Sequence, residues 1–211
     1  MSRGRSYCRG AFKRGVDIVM ALAAILVLAP VVLLLMAAIL LTSGRPALFV
    51  QERIGMDGQP FRLLKLRTMR RDASGGLPVT AAGDRRVTRI GRLLRATKLD
   101  ELPQLVNVLK GEMSLVGPRP EVPRYVAQYT PGQRGVLATR PGLTDPASIL
   151  FRDEEALLGS VPDESREIYY VQTILPKKLG LNLEYIDRAS VGYDFLLLLR
   201  TLMAVLRPAR S

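Results

Sequence analysis

The sequence predicts an α+β, mostly helical chain in two parts. Residues 1–44 read as a basic N-terminus with a re-entrant membrane helix, and residues 45–211 as a compact membrane-associated domain with a small β element and amphipathic helices. Three observations predict this. Residues 18–41 form a run of 24 without a charge, enough to cross a bilayer at about 1.5 Å per residue. Strand-like segments fall only at 49–51 and 61–68, on either side of an Asp57-Gly58 turn. Helical spacing of apolar residues then recurs around 87–94 and 102–109, and 195–206 is an apolar run too short to span.

Composition narrows the chemistry. The 211 residues suffice for one domain with a real core, and a net charge of +12 with pI ≈ 10.4 asks for an anionic partner. Aromatic residues make up only 6% and tryptophan is absent, which argues against stacking on nucleic-acid bases. With no histidine and one cysteine, Cys8, no Ser-His or Cys-His nucleophile, internal disulfide or His-ligated metal can form. Catalysis would rest on carboxylates, Lys, Arg, Tyr, hydroxyls or an oxygen-bound hard cation.

In chain order, residues 1–15 carry Arg3, Arg5, Arg9, Lys13 and Arg14 and no acid. The apolar run that follows is longer than the core of a signal peptide and lacks a small-residue cleavage site. A plain transmembrane helix would place one flank outside, yet both flanks are basic, since Arg45, Arg53, Arg62, Lys65 and Arg67 follow. Pro30 at mid-run favours a kink. A helix-break-helix at Ala29-Pro30, entering and leaving by the cytoplasmic face, accommodates both facts.

Lys65 and Arg67 share a strand face, either aimed at a phosphate or solvating an edge strand. Residues 70–83 lack periodicity and read as a mobile loop. Val87, Ile90, Leu93 and Leu94 mark a helix among arginines that ends at Arg95. In 97–120, Leu102, Leu105, Val106 and Leu109 predict a buried helical face, with Pro103 in its first turn and Gly111 ending it. Asp100 and Glu101 then stand near a helix N-terminus, where an aspartate is either an N-cap or an ionised functional group. In Gly117-Pro118-Arg119-Pro120 the prolines stiffen an arginine suited to bidentate phosphate contact, and Gly117 permits an unusual backbone angle.

Together, Leu-Asp-Glu-Leu-Pro-Gln-Leu, Asn-Val-Leu-Lys-Gly and Met-Ser-Leu-Val-Gly-Pro-Arg-Pro closely resemble the bacterial sugar transferases, the monotopic phosphoglycosyl transferases. The resemblance implies a catalytic domain at the membrane interface that moves a sugar phosphate from a UDP-sugar to polyprenyl phosphate. It implies Asp100 as the nucleophile that forms an aspartyl phosphosugar and expels UMP, and Arg95 as an active-site arginine. Physics alone does not choose between Asp100 and Glu101. Consecutive helical residues diverge by roughly 100°, so Glu101 is assigned metal binding or acceptor positioning. Arg119, Arg95, Lys65 and Arg67 are the expected phosphate ligands, and Mg²⁺ on Asp100 and Glu101 the expected cofactor.

Two departures from the family stand out. Ala29 replaces a serine usual before the break, and Asp145 replaces a glycine in Arg140-Pro-Gly-Leu-Thr-Asp-Pro, a segment near the nucleotide-sugar site in many relatives. Arg152-Asp-Glu-Glu reads as an exposed charge run, and Phe195–Leu206 as an interfacial or core helix with Arg207 and Arg210 near headgroups. The expected location is the bacterial inner membrane, on its cytoplasmic face. The expected partners are a UDP-sugar, polyprenyl phosphate and the lipid bilayer, with no nucleic acid, and a homodimer remains open. The rival readings are a membrane-tethered nucleic-acid binder, whose DNA affinity would collapse with salt, and a non-catalytic scaffold for polysaccharide assembly.

Overall fold

The computed structural model describes residues 2–70 and 80–206, so most of the expected loop at 70–83, and Arg207 and Arg210, lie outside the described residues. Helix α1 (Arg3–Arg9) is followed at Gly10 by α2 (Ala11–Ser43), 33 residues and about 50 Å long. Among the described residues, α2 is the one helix long and apolar enough to cross a membrane. It stays helical through Ala29 and Pro30, so the expected break is not an interruption of the helix. A single proline deletes one backbone donor and crowds the preceding turn, which can bend a helix without ending it.

The contacts of α2 with the rest of the chain run along one side of the helix. Lys13, Asp17, Ala21 and Ile39 are buried, and Ala24, Leu28 and Leu35 are half-buried between them. At roughly 100° per residue these positions form one stripe, with exposed Pro30 on the far side. Both ends of α2 are seated on the same domain through this stripe. At the first end, Arg14 donates to the carbonyls of Val108 (2.6 Å) and Leu109 (2.9 Å), while Asp17 accepts from Leu115 N (3.1 Å). Just before α2, Arg9 forms a two-pronged pair with Asp57 at 3.1 Å on each arm. At the second end, Ile39 packs in a small core with Ala47, Leu66 and Leu94.

Beyond α2, strands β1 (Leu48–Ile54) and β2 (Pro60–Leu66) pair antiparallel with Leu48 opposite Leu66, joined by a 3₁₀ turn at Met56–Gly58. Helix α3 (Arg89–Ala96) is capped by Thr88, whose hydroxyl accepts from Gly91 N. Its Leu94 is buried but Leu93 is exposed. A 3₁₀ turn, Leu99–Glu101, precedes α4 (Gln104–Lys110), which ends at Gly111 with φ 86° as expected of a left-handed C-terminal glycine. The buried face of α4 is Gln104, Leu105, Asn107 and Val108, rotated from the expected one and leaving Val106 exposed. The rotation follows from Asn107, whose side chain bonds Leu64 N, Arg62 O and Glu112 and staples α4 to β2.

Strands β3 (Ser114–Val116) and β4 (Gly142–Thr144) pair parallel, Val116 opposite Thr144. Gly117 has no left-handed φ; a Cβ there would stand 2.5 Å from the carbonyl oxygen of Arg140. Close approach of the two strands, not an unusual torsion, requires that glycine. Helices α5 (Pro123–Val126), α6 (Pro146–Leu150), α7 (Glu154–Gly159), α8 (Asp163–Tyr169), α9 (Leu175–Arg188) and α10 (Val191–Leu206) complete the domain. A π-helical turn at Tyr170–Ile174 joins α8 to α9.

The main core gathers Met113, Val108, Leu158, Ile174, Tyr185 and Leu197. The terminal elements are locked together by Asp194 of α10, which accepts from Tyr185 (2.7 Å) and Tyr7 (3.0 Å) and pairs with Lys13. The last helix is core on one face, at Leu197, while Phe195, Leu199, Leu202 and Met203 are exposed.

Candidate active site

Asp100 reaches its position through local backbone strain. Thr97 closes α3, and Lys98 adopts a left-handed conformation (φ 56°) that is uncommon for a lysine. This reverses the chain into the Leu99–Glu101 turn, which projects Asp100 inward, only 6% exposed. Asp100 is therefore not the N-cap of α4; Pro103 occupies that position. Its Oδ1 is buried without a hydrogen-bond partner among the described residues. Burial raises the Asp100 pKa above the carboxylate norm, while the charge of Lys65 opposes the rise.

Glu101 has the opposite environment. Its Oε1 accepts from Arg119 Nη2 at 2.6 Å and Lys65 Nζ at 3.0 Å, and its Oε2 faces Arg119 Nη1 at 3.3 Å. Burial alone would raise this carboxyl, but Arg119 and Lys65 hold it well below the usual range. In turn Glu101 raises the Arg119 guanidinium further, and burial lowers Lys65. Two adjacent acids thus differ in kind: Glu101 is a committed counter-ion, and Asp100 keeps an uncommitted oxygen.

All these groups line one cavity of about 1280 Å³, above the range of ordinary small-molecule pockets. Its apolar wall includes Met20, Ala24 and Leu28 of α2 and Leu198, Leu202 and Val205 of α10. Its polar wall includes Arg53, Arg95, Glu121, Glu154, Glu155 and Lys178.

Of the residues singled out from sequence, Asp100, Glu101, Arg119, Lys65, Arg95 and Arg67 all reach this cavity, though not in equivalent states. Arg95 donates through Nε and Nη2 to Glu155 Oε1 at 2.9 and 2.6 Å. Arg67 is corrected. Its guanidinium is buried and donates to the carbonyls of Ser43 (2.5 Å), Gly44 (2.6 Å) and Arg45 (2.8 Å), so it fastens the C-terminal end of α2. Helix ends leave such carbonyls without intrahelical partners, and an arginine fork suits them well. Ala29 and Pro30 are not among the residues that line the cavity, although their neighbour Leu28 is.

The exposed charge run expected at 152–155 holds at Asp153 and is corrected at Glu154 and Glu155. Glu154 accepts from Lys178 at 2.8 Å and Glu155 from Arg95, drawing α7 onto the cavity rim. Sequence reading passed over Lys178, Glu121 and Tyr170 as well. Glu121 accepts from Tyr170 Oη (2.5 Å) and Arg53 Nη1 (3.3 Å), just past the Gly-Pro-Arg-Pro loop. Only the position of Glu121 next to that motif signalled it. Asp145 caps α6, accepting from Ala147 N and Ser148 N. No group of three or more His, Cys, Asp or Glu able to hold a metal occurs among the described residues.

The model of the family described as "Bacterial sugar transferase" matches residues 8–208. The chain belongs to that family. It is 39% identical over 206 residues to the UDP-glucose:undecaprenyl-phosphate glucose-1-phosphate transferase of Caulobacter vibrioides, covering 92% of the present chain and 69% of that protein. It is 37% identical over 187 residues to the Escherichia coli protein of the same name, covering 86% and 37% of the two chains. To the UDP-N-acetylgalactosamine-undecaprenyl-phosphate N-acetylgalactosaminephosphotransferase of Aeromonas hydrophila it is 34% identical over 198 residues, covering 92% and 43%. The matched relatives thus differ in the sugar they are named for.

Proposed function

We propose that the chain transfers a sugar 1-phosphate from a UDP-sugar to polyprenyl phosphate, through a covalent intermediate on Asp100 and with release of UMP. The observation that carries this reading is the contrast within one turn: a buried carboxylate with an unpartnered oxygen beside a carboxylate pinned between Arg119 and Lys65. Attack on a diphosphate by an anion is opposed by like charge, and cations at the reacting phosphates relieve that opposition. Ionised Asp100 attacks the sugar-bearing phosphorus. The P–O bond to UMP breaks, and its electron pair leaves with UMP. A phosphate oxygen of the acceptor then attacks the same phosphorus, displaces the aspartate, and leaves a polyprenyl diphosphate sugar.

The two walls of the cavity support two substrates of opposite solubility. The apolar wall from α2 and α10 suits an isoprenoid tail, and the polar wall a nucleotide sugar. Both ends of α2 dock on one domain, and Arg9 before α2 pairs with Asp57 after it, which supports placing both flanks on one side of the bilayer. With a soluble nucleotide sugar as donor, that side is the cytoplasmic face of the inner membrane. The reaction would be the first membrane step of a polysaccharide or glycoconjugate.

For Mg²⁺, the residues fit in part. Asp100 offers a hard oxygen, whereas both Glu101 oxygens already face cations. Asp100 with donor phosphate oxygens would hold the ion, which would supply charge neutralisation at the diphosphate.

The test is a panel of UDP-sugars with undecaprenyl phosphate in nanodiscs, reading UMP release. Without acceptor, intact-protein mass spectrometry should register a sugar-phosphate adduct that maps to Asp100. Asp100→Asn should abolish both with thermal unfolding unchanged. Near-normal UMP release from D100N would overturn the covalent assignment.

A further inference from the structure

The first turn of α7 carries two carboxylates that the proposed chemistry does not use. Glu154 gives one oxygen to Lys178 of α9, and Glu155 gives one to Arg95 of α3. Their side chains are 25% and 40% exposed, and both line the same cavity as Asp100. Lys178 is itself buried, stacked 5.4 Å from the centre of the Tyr170 ring. Buried Lys178 and the Arg95 guanidinium stand behind two neighbouring carboxylates and hold them in place. Among the described residues the second oxygen of each has no hydrogen-bond partner and is left to accept a further one. Carboxylates held this way are strong acceptors for hydroxyl groups, and they are poor neighbours for a phosphate. The unpartnered Oδ1 of Asp100 in the same cavity marks that space independently as made for a ligand.

We propose that Glu154 and Glu155 accept hydrogen bonds from hydroxyl groups of the donor sugar and so determine which sugar the enzyme transfers. The inference rests on the donor reading given above. A UDP-sugar has two hydroxylated rings, ribose and the transferred sugar. Only the latter is attached to the phosphorus that Asp100 attacks, and ribose lies one phosphate further out. Arg95, which holds Glu155, lines the same cavity as Asp100 and lies in the last turn of α3, directly before the Leu99–Glu101 turn that carries Asp100. Glu155 therefore belongs to the sugar end of the donor. Neither acid is a catalytic residue; both are specificity-determining.

The experiment compares two ligands on the full chain in nanodiscs: the UDP-sugar turned over fastest in the panel, and UDP, which lacks the sugar. In Glu154→Gln and Glu155→Gln, the donor KM should rise at least about tenfold, since a site built to bind a hydroxyl loses that much when the partner is weakened. Inhibition by UDP should stay within about twofold of wild type, since the nucleotide's own contacts remain. The order of preference among UDP-sugars should also change. If UDP inhibition weakens in parallel, the acids serve the nucleotide or its phosphates, and the proposal is wrong. If neither ligand is affected, it is equally wrong. Should a Gln variant fail to fold, Glu154→Asp keeps the charge facing Lys178, draws the carboxylate back, and decides between the same outcomes. A wild-type chain that turns over no UDP-sugar would refute the proposed function itself, a result the variants do not enter.

Discussion

Replacing Arg119 by lysine is the most incisive perturbation of the candidate active site. Arg119 holds Glu101 through two arms, 2.6 Å to Oε1 and 3.3 Å to Oε2, and Pro118 and Pro120 stiffen the backbone on either side. Lysine keeps the positive charge but presents a single ammonium on a flexible stem, so at most one arm survives. Losing one charge-assisted hydrogen bond in a buried setting costs about 1–3 kcal/mol. If the same fork faces the donor phosphates during transfer, R119K lowers kcat/KM by about 5- to 150-fold, at 1.4 kcal/mol per tenfold. Lys65 still pairs with Glu101 at 3.0 Å, so the turn remains anchored and thermal unfolding should change little. The assay is UMP release under varied UDP-sugar, with unfolding followed in parallel. In combination with Glu101→Gln the losses should be non-additive, because the two side chains act as a unit. Kinetics of R119K within twofold of wild type would refute the reasoning and make the arginine structural.

Three further outcomes are expected. Asp100 must be ionised to attack, and burial raises its pKa while Lys65 opposes the rise; Lys65→Met should therefore move the acid limb of the kcat/KM–pH profile to higher pH. A limb that stays put or moves to lower pH would count against Asp100 as the titrating group. Arg67→Met should destabilise the fold by about 1–3 kcal/mol, read by thermal unfolding, because three carbonyls at the end of α2 lose their donor. The donor KM should not change, and a tenfold rise would restore a phosphate role for Arg67. For topology, Cys8 itself is unsuitable as a reporter, since it is buried and burial pushes its thiol up to about 11. Exposed Ser6→Cys and Gln59→Cys, each in a Cys8→Ala background, should both resist an impermeant maleimide in intact spheroplasts and label once the membrane is opened. Labelling from opposite sides would mean that α2 spans.

Much of this protein was legible in its sequence because the signals were local. An uncharged run, a strand-turn-strand pattern and a Gly-terminated amphipathic helix each depend on neighbours a few residues away, and α2, the β1–β2 hairpin and the end of α4 at Gly111 follow from them. Adjacent Asp100 and Glu101 and the proline-flanked Arg119 were likewise readable, through a motif long enough to be specific.

The tertiary structure decided what each charged group does. Lys65 and Arg67 sit two residues apart on one strand pattern, yet one reaches Glu101 and the other the carbonyls ending α2. No periodicity distinguishes them, because their partners lie 36 and 24 residues away. Asp100 and Glu101 were equal candidates in sequence, and their difference comes from which one long-range cations surround. Glu154 and Glu155 looked like a solvated run until Lys178 and Arg95 drew them to the cavity. Sequence specifies elements through short-range sterics and hydrophobic period, whereas the ionisation and task of a buried charge depend on contacts that only folding brings together.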